Sequence, residues 1–196
     1  MEENQEQTAE PSAQKAVLRR IWDATGYLIV PIVVMFLLLG VFFSLARVPS
    51  GSMEPTLPTK CYFFGLRLPY LVGDPLPARG DIIMFRSDEY DELMVKRVIG
   101  LPGETVSFEN GSVYIDGALL EEPYLEDQCI TWPLTDTAVF EVPENSVFVL
   151  GDNRTGSLDS RAWNNPYVPA EKIRSRALVA VAFWPSCTWK GVHLLT

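Results

Sequence analysis

The sequence predicts a mostly β domain carried behind a single N-terminal membrane-spanning helix. Three observations lead there. Residues 24–46 (ATGYLIVPIVVMFLLLGVFFSLA) contain no charged residue. Beyond them the chain becomes rich in Gly and Pro, with short Val-, Ile- and Phe-rich runs between the turn residues, which is a strand signature. Within that region Asn110-Gly111 separates two such runs, and this dipeptide is the strongest short hairpin signal.

Taken in chain order, residues 1–14 (MEENQEQTAEPSAQ) are polar and low in aromatics and are expected to be disordered. The apolar run at 24–46 rises about 1.5 Å per residue as a helix and so covers a hydrocarbon core of about 30 Å. It is too long for the apolar core of a secretory leader, roughly 7–15 residues, and too evenly apolar for the buried helix of a soluble domain. Pro31 lies near its start, where a kink is tolerated. Lys15, Arg19 and Arg20 precede the span and only Arg47 closely follows it. The positive-inside rule therefore assigns residues 1–23 to the cytoplasm and 47–196 to the far side of the membrane.

Strands are expected at 81–86 (DIIMFR), 92–100 (ELMVKRVIG), 104–109 (ETVSFE), 112–117 (SVYIDG), 146–151 (SVFVLG) and 176–184 (RALVAVAFW). The acidic, turn-rich stretch 118–144 reads as an insertion rather than a core segment. No internal repeat is present, and the apolar run near the C-terminus is too short for a second span, so the chain reads as single-pass.

Composition narrows the function. With 196 residues and 47% hydrophobic content the chain has material for one domain with a real core. A formal net charge of −9 argues against nucleic acid as a partner, because such proteins carry a basic footprint. Cys61, Cys129 and Cys187 form no CxxC pair and His193 is the only histidine, so no metal is expected. An odd cysteine count argues against a disulfide framework and leaves open one Cys129–Cys187 bridge.

The stretch 49–57, PSGSMEPTL, places Ser50 and Ser52 on either side of Gly51. A serine hydroxyl is a weak nucleophile unless a base removes its proton. His193 stands in no supporting motif and reads as an ordinary surface or packing histidine. The other route is a lysine made neutral by burial. Lys96 suits it: in LMVKRVIG, alternation sends Met94, Lys96 and Val98 to one face and Val95, Arg97 and Ile99 to the other, so one of two adjacent basic residues meets apolar neighbours. Lowering a lysine from about 10.4 to near 8 costs roughly 3 kcal/mol, within reach of a desolvated site. A third segment, GDNRTGSLDSR at 151–161, alternates Asp with Arg. Arginine would repel a calcium ion, so internal ion pairs holding a rigid loop are the better reading.

These motifs, in the order span, PSGSMEPTL, RGDIIMF (79–85), KRVIGLPGE (96–104) and GDNRTGSLDSR, resemble the bacterial type I signal peptidases, membrane-anchored Ser–Lys proteases. The resemblance covers nearly everything from Arg20 onward. It implies an extracytoplasmic all-β catalytic domain of the signal-peptidase type, anchored in the cell membrane. By it Ser52 is the nucleophile and Lys96 the general base, while Ser50 and the Ser52 amide form the oxyanion hole. Ser157 would orient the lysine, and Arg97 with Asp152 and Asp159 with Arg161 stand where the family has structural charge pairs. Glu104 stands where the family more often has Asp.

The implied partners are signal peptides of exported preproteins, cut after Ala-x-Ala-like sites, and membrane lipid; no cofactor is implied. Val48, Met53, Met94 and Val95 are expected to wall the substrate pockets. The apolar stretch 61–72 (CYFFGLRLPYLV), with Trp184 and Trp189, reads either as core or as a surface dipping into the outer leaflet. A self-processing protease of related chemistry is the rival reading, opposed by the membrane span; an inactive binding protein is another, opposed by the intact Ser52, Lys96 and Ser157.

Overall fold

The computed structural model describes residues 13–71, 76–126, 129–182 and 191–195. The chain divides between Gly40 and Val41 into two units. The first is dominated by helix α1 (Ala13–Phe42), with Pro31 inside it. Leu28, Val33, Phe36, Leu37 and Leu39 lie exposed along it, and the stretch Thr25–Phe42 is long and apolar enough to cross a membrane. A helix satisfies its own backbone groups, which is what hydrocarbon demands.

Both helix boundaries differ from expectation. Residues 13 and 14 are helical rather than disordered, because AQKAVLRR is rich in good helix formers; residues 1–12 lie outside the described residues. At the other end the helix stops at Phe42, and residues 43–46, expected in the span, open strand β1 (Phe43–Arg47). They pair there with strand β2 (Tyr62–Leu66), the Arg67 N–H donates to the Phe42 carbonyl at 2.8 Å, and Ser44 Oγ donates to Ser175 Oγ at 2.9 Å. A ladder partner for the backbone outweighs the apolar character of FSLA.

The second unit is antiparallel β. Its remaining strands are β3 (Ile82–Arg86), β4 (Leu93–Gly100), β5 (Thr105–Glu109), β6 (Ser112–Ile115), β7 (Ala118–Leu119), β8 (Val139–Glu141), β9 (Ser146–Leu150), β10 (Tyr167–Pro169), β11 (Ile173–Ala182) and β12 (Gly191–Leu194). One sheet runs β1-β2-β11-β3-β4-β9-β10 with β12 on β11, and a smaller one runs β7-β6-β5-β8. The six expected strands correspond to β3, β4, β5, β6, β9 and β11, although residues 183 and 184 lie outside the described residues. Asn110 and Gly111 turn β5 into β6 with φ of 49° and 80°, the all-positive pattern of a tight hairpin.

Strand β4 lies between β3 and β9, and its residues from Val95 to Gly100 are buried. Lys96 and Arg97, on opposite faces of the strand, are both buried, each 4% exposed. The stretch 118–144 also differs from expectation: it supplies β7 and β8, and Phe140 and Val142 join Phe108 and Phe148 in a core cluster. In the stretch 61–72, Cys61 and Phe63 are buried and so are core, while alternation on strand β2 leaves Tyr62 and Phe64 about 40% exposed. Cys129 is a free thiol while Cys61 is disulfide-bonded, so the Cys129–Cys187 bridge does not form; Cys187, Trp184 and Trp189 lie outside the described residues.

Candidate active site

Val48 is buried at the end of β1, and after it the chain turns through a short 3-10 segment, Gly51–Met53. Met53, 1% exposed, packs with Val48, Leu57, Phe63 and Val95 and anchors the turn. That anchoring leaves Ser52 half-buried and Ser50 exposed at the surface. Ser50 Oγ donates to Ser52 Oγ at 3.4 Å. The Glu54 carboxylate lies beside Gly51 and accepts from the Thr59 N–H and hydroxyl, which ties the turn to the following loop.

Lys96 enters from β4, where it pairs with Ile83. Its Nζ donates to Ser157 Oγ at 2.9 Å, and Ser157 is itself buried. Burial lowers the Lys96 ammonium to about 8; Asp159 opposes the shift, Arg161 adds to it, and Glu92 and Asp152 oppose it. Desolvation dominates, as expected of an amine on a residue only 4% exposed.

Ser50, Ser52 and Lys96 line one cavity of about 280 Å³. Val48, Met53, Met94 and Val95 line it too, together with Glu92, Leu158 and Gly156, which the sequence reading did not single out. Ligand pockets commonly span about 300–1,000 Å³, so this one is small and suits short side chains.

The loop after β9 closes the arrangement. Arg97 makes a bidentate pair with Asp152, at 2.8 Å from Nε and 2.6 Å from Nη2. Arg161 pairs likewise with Asp159, at 2.8 Å and 2.9 Å, and Asp159 also accepts from the Gly151 N–H at 3.0 Å. All four side chains are 5% exposed or less. Glu104 accepts from the Leu101 N–H at 2.7 Å and pairs with Arg79, so the longer acid is accommodated at the β4–β5 turn.

Two contacts to the serine turn come from Asn153, a residue with no assigned role in the sequence reading. The Asn153 N–H donates to the Ser52 carbonyl at 3.1 Å, and Asn153 Nδ2 donates to the Gly51 carbonyl at 3.0 Å. A Cβ on Gly151 would collide with the Ser157 side chain and the Ser52 carbonyl oxygen. Glycine there allows the two segments to meet. Asn153 and Gly151 were visible as members of the 151–161 motif, but nothing in the motif says what they touch. His193, exposed on β12 opposite Ala180, is not among the residues lining the cavity.

The chain is similar to known proteins over most of its length. The sequence model of the family described as "Signal peptidase, peptidase S26" matches residues 21–184. Signal peptidase I of Leptolyngbya laminosa is 41% identical over 162 residues, 78% of this chain and 75% of that protein. The probable signal peptidase I-2 of a Synechocystis strain is 35% identical over 171 residues, 84% and 74% of the respective chains. Signal peptidase I of Bacillus licheniformis is 38% identical over 160 residues, covering 79% and 84%. The chain therefore belongs to the signal peptidase family, peptidase S26, and is an endopeptidase of the serine class.

Proposed function

We propose that the chain is a signal peptidase I that removes signal peptides from exported preproteins after Ala-x-Ala-like sites, using Ser52 and Lys96 through an acyl-enzyme. The observation that carries this reading is the buried Lys96 amine, lowered to about 8, lining one cavity with Ser52 and Ser50. Neutral Lys96 takes the Ser52 hydroxyl proton as Oγ attacks the scissile carbonyl. The oxyanion is received by the Ser50 hydroxyl and the Ser52 amide. Lys96 then gives its proton to the leaving amine, and the same amine later activates the water that hydrolyses the ester. Ser157 holds Nζ in place throughout.

An extended substrate adding a strand at the cavity edge would send alternate side chains, those at −1 and −3, toward Val48, Met53, Met94 and Val95. The small volume favours alanine-sized groups there. The excess of Lys15, Arg19 and Arg20 before α1 supports a cytoplasmic N-terminus and a catalytic unit on the extracytoplasmic side of the cell membrane.

The test is incubation of the detergent-solubilised chain with a preprotein. Ser52→Ala, Lys96→Ala and Lys96→Arg should each abolish cleavage while remaining folded, because a guanidinium does not deprotonate in proteins. Retention of most of the rate by Lys96→Arg would mean that Lys96 is a fixed charge and that the base lies elsewhere.

A further inference from the structure

Three residues from the stretch 118–144, outside the family motifs, reach the loop that carries Ser157. Arg154 is buried, with its side chain fully covered. Its Nε donates to the Gly151 carbonyl at 3.1 Å. Its Nη1 donates to Glu122 Oε2 at 2.9 Å and to Thr131 Oγ1 at 2.6 Å, and its Nη2 pairs with Glu122 Oε1. The Tyr124 hydroxyl donates to the same Glu122 oxygen, and the Tyr124 ring lies under the Arg97 guanidinium, 3.8 Å from its carbon to the ring centroid. Arg161 closes the ring by donating to the Arg154 and Trp132 carbonyls at 2.7 Å and 3.0 Å.

We propose that Glu122 is a positioning residue for the reaction: through Arg154 it fixes Gly151, and thereby the distance between the Ser52 turn and Ser157, the partner of the Lys96 amine. The inference rests on the reading of Lys96 as the base. Gly151 is wedged between the Ser52 carbonyl and the Ser157 side chain, beside the Asn153 contacts to the same turn, so a shift there changes the spacing of the two segments. Thr131 offers Arg154 one neutral acceptor, while Glu122 supplies the negative charge on the guanidinium. Removing one partner of such a buried pair leaves an uncompensated charge, which moves to find water. Arg154 would then drag on the Gly151 carbonyl and open the loop beside Lys96. The groups facing Lys96 are the Ser157 hydroxyl and the charges of Asp159, Arg161, Glu92 and Asp152. Water entering among them undoes part of the burial that holds the amine low, so the pH at which Lys96 becomes neutral rises.

This separates positioning from mere stability. A smaller folded fraction, measured at each pH and divided out of the rate, returns the parent's profile, whereas a displaced Lys96 does not. The full chain in detergent, with a quenched-fluorescent peptide bearing an Ala-x-Ala site, gives kcat and KM from pH 6 to 10, and circular dichroism gives the folded fraction. For Glu122→Ala, kcat should fall about a hundredfold with KM within about threefold, the loss typical of a displacement of about 1 Å in a catalytic group. The rising limb of kcat should move up by about one pH unit as desolvation is relieved. Glu122→Gln keeps the shape and one acceptor, and should fall between this variant and the parent.

Should Glu122→Ala fail to fold, Glu122→Gln decides, with Tyr124→Phe removing only the hydroxyl on Glu122 and giving a smaller effect of the same sign. A folded Glu122→Ala with kcat within threefold of the parent overturns the proposal, as does a Glu122→Gln indistinguishable from the parent where it alone folds, and so does a drop in kcat with the limb unmoved. Ser52→Ala in the same assay tells the two readings apart: its continued activity would sink the dyad, whereas an inactive Ser52→Ala beside a normal Glu122→Ala sinks only the clamp.

Discussion

If Lys96 is held as a buried amine for catalysis, the fold must be less stable for it, and the loss must depend on pH. Its pKa falls from 10.5 to about 8, and at about 1.36 kcal/mol per unit this amounts to roughly 3 kcal/mol. Between pH 8 and 10.5 the unfolded chain holds the proton that the folded chain has released, so stability rises with pH across that window. Below pH 8 both states are protonated and the whole penalty stands. Lys96→Met keeps an unbranched side chain in the same space and removes the charge. It also gives up the hydrogen bond to Ser157, a contribution of about 1 kcal/mol, which leaves a net gain of about 2 kcal/mol at pH 7.

Urea unfolding of the full chain in detergent, parent beside Lys96→Met, measures this at pH 6, 7, 8, 9 and 10. The gain should be constant up to about pH 7.5, shrink through pH 8–9 and be largely gone by pH 10. In thermal melts it should appear as a rise in Tm of about 4–8 °C at pH 7. The kinetic counterpart in the parent is an acylation rate that climbs about tenfold from pH 7 to pH 9, as the neutral fraction grows from about a tenth to about nine tenths. A Met variant less stable than the parent at pH 7, or a gain that ignores pH, would refute the claim that the amine is held against its charged form.

Other substitutions probe the loop and the anchor. Gly151→Ala should cost about a hundredfold in kcat, since its methyl group pushes on the Ser52 carbonyl and Ser157; a rate within threefold of the parent would show that the contact yields. Asp152→Asn leaves buried Arg97 without its carboxylate and should lower stability by about 3 kcal/mol in urea unfolding, whereas a change under 1 kcal/mol would mean that Tyr124 and the Gly80 carbonyl suffice. Protease added outside intact cells should degrade residues 47–196 and spare 1–20; protection of the large unit would reverse the proposed orientation.

What the sequence disclosed followed from range. The long apolar run, the Asn110-Gly111 turn and the six strands are local signals, each decided within about ten residues by periodicity and turn chemistry. The strands it did not disclose, β1, β7, β8, β10 and β12 among them, are between two and five residues long and owe their existence to a neighbour. Strand β1 is the clearest: by hydropathy FSLA continues the helix, and only the edge of β2, some twenty residues later, makes it a strand.

The site divides along the same line. Lys96 could be suspected from alternation, which sends one of Lys96 and Arg97 to apolar neighbours, but alternation does not say that both faces of β4 are buried there, as they are. Two adjacent buried cations then need opposite treatment. Arg97 cannot release its proton, so it receives the carboxylate of Asp152, with the Tyr124 ring against its guanidinium. Lys96 can, and the partner on its Nζ is a hydroxyl, with the nearby Asp159 already engaged by Arg161. A carboxylate in place of Ser157 would hold the ammonium and raise its pKa, abolishing the proposed base. The proposed chemistry thus depends on which carboxylates are taken by arginines, and that assignment links residues 97 with 152, 122 with 154 and 159 with 161. Glu122 carried no signal of its own in an acidic stretch without motif, because its role is set entirely by an arginine 32 positions away.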